Sequence, residues 1–321
     1  MKKILVLGGS GFVGRHLCEK LARASCRITV PTRRAANASA VQPLPGLTVL
    51  TADLFDDTQL RELVNGHDAV VNLVAILHGT EASFERAHLT LPQKIAQACR
   101  ATGVKRLVHV SALGAALDAP SMYQRSKARG EAVLLAAGLD LTVLRPSVIF
   151  GDGDRFLTLF AKLQQLAPVV PLAGASTRFQ PVWVEDVAQA IANCLLGSAH
   201  LAPSATIGQR YDLCGPDVMT LAELVRFAGA ASGISGGRPV LPLPAALGRL
   251  QASLMRLMPG EPLLSHDNLD SMKVDNVCDG TLPGLSELDI TPAALSAVAP
   301  GYLSTATTST GLDRFRRTAG R

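Results

Sequence analysis

Aromatic side chains make up only 4% of the 321 residues, one Trp, three Tyr and nine Phe, so platforms for stacking nucleic-acid bases are scarce. Lys/Arg-rich runs are missing from the body of the chain, which argues against a track for a phosphate backbone and so against nucleic acid as a partner. No CxxC occurs among the six cysteines (Cys18, Cys26, Cys99, Cys194, Cys214, Cys278), and His200 with Cys214 is the nearest approach to a ligand cluster. Reduced thiols, no structural metal and a cytoplasmic setting are expected. No stretch approaches the roughly 20 apolar residues of a membrane span. The apolar run of the opening MKKILVLGG, Ile4 to Leu7, is too short for a signal peptide. No Gly/Ser-rich or Pro-rich linker divides the interior, so one body with a smaller outgrown lobe is expected rather than two separable domains.

What is present is apolar and unevenly charged. With 48% hydrophobic and 18% charged residues, the chain can fold around a large core. The net charge of +5 divides sharply: residues 1–150 hold 18 Lys+Arg against 11 Asp+Glu, whereas residues 151–321 hold 13 against 15. A small anionic ligand in the first half accounts for this asymmetry.

Short apolar runs alternate with helical patterns through the first half. Strands are predicted at Ile4 to Leu7, Arg27 to Val30, Leu47 to Thr51, Ala69 to Leu77, Arg106 to Ser111 and Leu141 to Leu144. Between them, helices are predicted at Phe12 to Ala24, Thr58 to Val64, Leu91 to Ala101 and Ser121 to Ala137, the last opened by a Ser-x-x-Gln start. Such alternation predicts an α/β fold, a doubly wound parallel sheet covered by helices. The domain reading is a nucleotide-binding core over 1–150, to which 179–197 returns, a smaller C-terminal substrate lobe over 151–178 and 198–302, and a mobile Ser/Thr- and Arg-rich tail over 303–321.

Gly8, Gly9, Gly11 and Gly14 fall between the first strand and first helix, which is where a dinucleotide pyrophosphate meets the backbone and a helix N-terminus. The turn Gly8, Gly9, Ser10, Gly11, Phe12, Val13, Gly14 is therefore read as the cofactor's phosphate site. An NAD-preferring site has a carboxylate about 20 residues on. Here the segment TVPTRR carries Arg33 and Arg34 instead, suited to a 2′-phosphate, so NADP(H) is preferred with NAD(H) as the alternative. Asp53 and Leu54 are placed at the adenine, and Val74 and Ala75 leave room for ribose.

Tyr123 and Lys127 lie four apart on one face of a predicted helix. A neighbouring ammonium favours phenolate, so Tyr123 is expected to have a lowered pKa and to transfer a proton while Lys127 holds the nicotinamide ribose. Ser111, closing the preceding strand, is the candidate for positioning a substrate carbonyl.

The turn GGSGFVG, the pair in YQRSK and the segment RPSVIFG resemble the extended and atypical short-chain dehydrogenase/reductases. GDGDRFLTLFAKL, TRFQPVWVEDVAQAI and MPGEPLLSHDNLDSMKVDNV narrow the likeness to the atypical subgroup that includes the dinucleotide-binding accessory subunit of respiratory complex I, over about Lys2 to Val277. The resemblance implies a Rossmann-like sheet, bound NADP(H), Pro146 beside the cofactor, and in some members a link to quinone metabolism or the respiratory chain. It also marks departures: Ala112 follows Ser111 where many relatives have a second hydroxyl, and His88 stands where such families often have Asn.

Weaker signals lie beyond. Asp186 reads as a helix N-cap, while Arg178 and Gln180 are candidates to meet an anionic substrate group. Leu247, Leu250, Leu254 and Leu257 recur at helical spacing, with Arg249, Ser253 and Arg256 on another face. Packing of these leucines into the lobe is favoured over a basic amphipathic helix on a membrane. The functional expectation is a short-chain-type oxidoreductase acting on a carbonyl or alcohol of a hydrophobic, quinone- or isoprenoid-like substrate. The alternatives are a redox-silent NAD(P)H-binding accessory protein in peripheral contact with a membrane or respiratory complex, and a nucleotide-sugar epimerase or dehydratase.

Overall fold

The computed structural model of the chain describes residues 1–255 and 264–304. Two compact units emerge: Met1–Ser147 with Val184–Cys214 and Cys278–Thr291, and Val148–Trp183 with Gly215–Val277 and the chain from Pro292. Residues 198–214 and 278–291, read from the sequence as lobe, thus cluster with the sheet.

The first unit is a seven-stranded parallel sheet. Its strands are β1 (Lys3–Leu7), β2 (Arg27–Thr32), β3 (Leu47–Thr51), β4 (Ala69–Asn72), β5 (Arg106–Val110), β6 (Asp140–Pro146) and a last strand Arg210–Leu213. They run in the order Arg210–Leu213, β6, β5, β4, β1, β2, β3. The direction of travel reverses between β1 and β4, and ligands of open α/β sheets bind at such a point, beyond the carboxyl ends of the strands. β1 is a continuous apolar run because it is buried on both faces, Ile4 to Leu7 being fully inaccessible.

Helices α1 (Phe12–Arg23), α2 (Asp57–Val64), α3 (Glu81–Glu85), α4 (Leu91–Thr102) and α5 (Met122–Leu135) connect the strands, with a π-helical turn at Arg86–Thr90 between α3 and α4. Their ends follow local chemistry. Asp56 caps α2 by accepting from the N–H groups of Thr58 and Gln59. Ser121 caps α5 through Gln124 N–H, and Gly103, at φ +75°, ends α4 in the left-handed region. The predicted strand Ala69 to Leu77 stops at Asn72 because the Asn72 side chain takes over, accepting from Val74 N–H at 3.2 Å. The helix Val184–Leu196 begins two residues before Asp186, so Asp186 sits in its first turn and is not the N-cap expected.

Two further corrections concern the thiols and the leucines. Cys214 and Cys278 form a disulfide, against the expectation that all cysteines are reduced, because the fold brings the end of strand Arg210–Leu213 and a returning segment together. In the helix Ala245–Met255, Gly248 and Ala252 are the buried positions among residues 245–253. Leu247 and Leu250 are 51% and 56% exposed, so those two leucines do not pack into the lobe. Arg256, Leu257 and the tail from 305 onward lie outside the described residues; residues 303–304 are helical, with Leu303 buried.

The second unit is built on the helices Phe156–Leu166 and Leu221–Ala231, the latter opened by a Thr220/Glu223 capping box. Phe150, Leu157, Leu224, Leu295 and Leu303 form its buried cluster, edged by Phe156, Phe160, Phe179, Trp183 and Phe227. Half or more of the scarce aromatic side chains are used there, as core.

Candidate functional site

The glycine turn joins β1 to α1 as a tight backbone loop. Gly9 N–H donates to Val6 at 3.2 Å and Gly11 N–H to Gly8 at 3.0 Å. Gly8 holds φ +85°, and a Cβ on Gly14 would stand 2.4 Å from the Gly8 carbonyl oxygen, so the helix lies against the turn only because Gly14 has no side chain. Gly11 is the N-cap of α1, no side chain caps it, and no acidic residue stands in the first turn. The N–H groups at Phe12, Val13 and Gly14, which have no intrahelical partner, are thus aimed out of the helix end with its partial positive charge. A pyrophosphate fits that cradle.

At the end of β2, Thr32 Oγ1 donates to the Arg34 carbonyl at 3.1 Å, turning the chain so that Arg33 and Arg34 are both exposed. Arg33 lines an open pocket of about 500 Å³ together with Asp53. Arg34 begins a short 3₁₀ turn. Asp53 is held by Gln59, which accepts from its N–H at 3.0 Å, and its carboxylate accepts from Phe55 N–H at 3.0 Å; Leu54 is partly buried against the core. Val74 is partly buried and Ala75 exposed, just beyond β4. Pro146 ends β6, buried, with its carbonyl accepting from Leu113 N–H at 2.9 Å.

α5 crosses the end of β5. Lys127, 2% exposed, donates from Nζ to the Val110 carbonyl at 3.0 Å, which sets it beside Ser111. Burial lowers its pKa from the ordinary lysine value to about 8, opposed by Glu131 one turn on. Glu131 itself is gripped by Arg145 from β6, Nε to Oε1 at 3.0 Å and Nη2 to Oε2 at 2.5 Å. Tyr123 meets the rings of Phe84 and His88, centroids 6.2 Å and 5.5 Å away. Burial pushes its pKa up. The expected lowering by Lys127 is overturned, because desolvation of the phenolate is the dominant influence.

His88 links the loop beyond β4 to α5. Its Nε2 accepts from Ile76 N–H at 3.1 Å, so Nδ1 carries the proton to Ser126 Oγ at 2.8 Å, and Ser126 donates to the Tyr123 carbonyl at 2.8 Å. Burial first, then the Lys127 and His109 charges, hold it neutral down to about pH 2. The loop beyond β4 is thereby tied to the helix that carries Tyr123.

Sequence reasoning missed His109, although a His within the apolar run RLVHV was the available signal. It is 2% exposed on β5, two residues before Ser111, and its Nδ1 accepts from Asn72 Nδ2 at 3.1 Å, which leaves the proton on Nε2. Burial and the Lys127 charge lower its pKa to about 3. Among the described residues, His109 Nε2 and Ser111 Oγ are buried polar atoms with no hydrogen-bond partner. Leaving such groups unpaired is costly, and two donors at the carboxyl end of β5 suit the oxygens of a ribose or a carbonyl.

Arg178 and Gln180 belong to the second unit. Arg178 Nε is paired with Asp275 Oδ2 at 2.8 Å, and Gln180 Nε2 donates to the Gly215 carbonyl at 2.7 Å, so both side chains make bonds within their own unit. Among the described residues, no group of three or more His, Cys, Asp or Glu could hold a metal. No described helix is long and apolar enough to cross a membrane.

Residues 4–202 match the pattern of the NAD dependent epimerase/dehydratase family. The chain is 32% identical over 299 residues to the mitochondrial NADH dehydrogenase [ubiquinone] 1 alpha subcomplex subunit 9 of Mus musculus, covering 90% of this chain and 76% of that one. It is 31% identical over 189 residues to a ceramide reductase of Caulobacter vibrioides, 58% of each chain. Among solved structures, the NADPH-dependent quinone oxidoreductase of Escherichia coli complexed with NADPH superposes with TM-score 0.72 at 20% identity, over 96% of this chain and 99% of that one.

Proposed function

The chain belongs to the NAD dependent epimerase/dehydratase family, an NAD(P)-binding family, and from that premise we propose that it is an NADP(H)-dependent oxidoreductase of the short-chain type that reduces a carbonyl on a hydrophobic substrate. The observation that carries this reading is the junction of α5 with β5, where Lys127 bonds the carbonyl next to Ser111 and Tyr123 stands one turn away. Bound cofactor supplies a hydride at its nicotinamide. The Gly8 to Gly14 turn and the first N–H groups of α1 would hold its pyrophosphate, and Lys127 with His109 would bind its ribose. Ser111 donates a hydrogen bond to the substrate oxygen. Tyr123 gives that oxygen its proton, and burial, which pushes its pKa up, keeps the phenol in the protonated form that this donation needs. The hydrophobic substrate class is supported by the relative named a ceramide reductase. Purified protein should oxidise NADPH in the presence of short-chain ubiquinone analogues or long-chain ketones, and Tyr123→Phe should slow this by about 100-fold or more without changing NADPH affinity.

A second reading is an accessory protein that binds the dinucleotide without turnover, favoured by the 32% identity with a complex I subunit in an alignment that covers 90% of the chain. Cofactor would then stabilise the folded state by mass action, and the protein would dock peripherally on a respiratory complex. In that case Tyr123→Phe leaves the cellular phenotype intact while Gly11→Asp, which puts a carboxylate at the phosphate cradle, abolishes it.

A further inference from the structure

The pocket that Arg33 shares with Asp53 has a second guanidinium, Arg86, from a distant part of the chain. Arg33 follows β2, whereas Arg86 opens the π-helical turn beyond β4. Its Cζ stands 4.1 Å from the centre of the Phe55 ring, a cation–π contact that holds the long side chain over the pocket. Phe55 in turn is fixed by its N–H bond to Asp53. Both arginines are exposed. Among the described residues neither takes part in an ion pair, although such pairs are made elsewhere, as between Arg145 and Glu131. Arg34 does not line this pocket.

With one carboxylate, Asp53, against two guanidiniums, the lining of the pocket carries a net positive charge, which favours a doubly charged anion beside the arginines. The pocket lies at the carboxyl ends of β2 and β3, where a dinucleotide fold takes the adenosine half of its cofactor. Phosphate oxygens accept paired N–H bonds from a guanidinium, and two guanidiniums from different elements define the phosphate position better than two neighbours on one loop. We propose that Arg86 is a specificity-determining residue that, with Arg33, grips the 2′-phosphate of NADP(H), and that Arg34 takes no part. This rests on the dinucleotide-binding reading above and names the residues that select between its two cofactors.

Dissociation constants for NADPH and NADH, measured by titration calorimetry on wild type, Arg33→Ala, Arg34→Ala and Arg86→Ala, test it. Loss of either pocket arginine should weaken NADPH by about tenfold or more while NADH stays within about twofold; Arg34→Ala should leave both cofactors unchanged. An unaltered unfolding temperature without cofactor shows that each variant is folded. If Arg86→Ala weakens both cofactors equally, or neither, the assignment of Arg86 is overturned while the dinucleotide reading stands. If wild type binds neither NADPH nor NADH, both fall.

Discussion

A lysine and two histidines are buried around the end of β5, and each is held away from its ordinary titration range chiefly by burial. For a base whose pKa is lower in the folded chain, the unfolded chain binds more protons between the two values, so stability rises with pH across that window. His88 and His109, at about 2 and about 3 against an ordinary 6.5, therefore withdraw stability as pH falls below 6.5. Lys127, at about 8 against 10.5, adds stability as pH rises from 8 to 10.5, on the order of 3 kcal/mol over the full window. Urea unfolding of wild type and Lys127→Met should show the wild type gaining on the variant between pH 8 and 10 and running parallel to it between pH 6 and 7.5. A constant difference from pH 7 to 10 would show that the ammonium is not desolvated. None of these shifts could be read from residue type. Tyr123 and Lys127 are legible as a pair, but whether charge or burial governs Tyr123 depends on what surrounds it.

Among the elements, the contact between α5 and the π-helical turn decides how the candidate site is assembled. A Cβ on Gly130 would lie 2.0 Å from the His88 carbonyl oxygen and 3.4 Å from Pro92 Cγ, so the two backbones touch where α5 passes the turn. That approach allows His88 to reach both Ile76 and Ser126. Gly130→Ala should push the elements apart and destabilise the protein by about 1–3 kcal/mol, a fall of about 2–4 °C per kcal/mol in unfolding temperature. Cofactor affinity should drop with it, because the loop at Val74 and Ala75 loses its anchor; calorimetric unfolding with and without NADPH measures both. The start of α5 was readable, since Ser121 and Gln124 form a local cap. The role of Gly130 was not, because a glycine inside a helical pattern shows only its cost in propensity, not the backbone it meets.

For the whole molecule, the chain leaves the sheet unit after Cys214, contributes Gly215 to Val277 to the second unit, and returns at Cys278, and the disulfide joins those two points. Closing the 64-residue separation restrains the unfolded chain and is worth about 4 kcal/mol on chain-entropy grounds. Burial pushes the thiols of Cys18, Cys99 and Cys194 up to about 12, so these are poor nucleophiles in the folded protein. Denaturation without reductant should expose four free thiols, not six. Reductant should lower the unfolding temperature of wild type but not of Cys214→Ser; six free thiols in freshly purified protein would refute the bridge. The sequence by itself determined the parallel sheet, the glycine turn and the Tyr123–Lys127 spacing, because strand burial, turn geometry and helix periodicity act between residues close in the chain. Tertiary structure alone decided the disulfide, the exposure of Leu247 and Leu250, the second arginine of the pocket that Arg33 lines and the burial that governs Tyr123. Each of these depends on segments far apart in sequence being brought together, and on the water that their contact excludes.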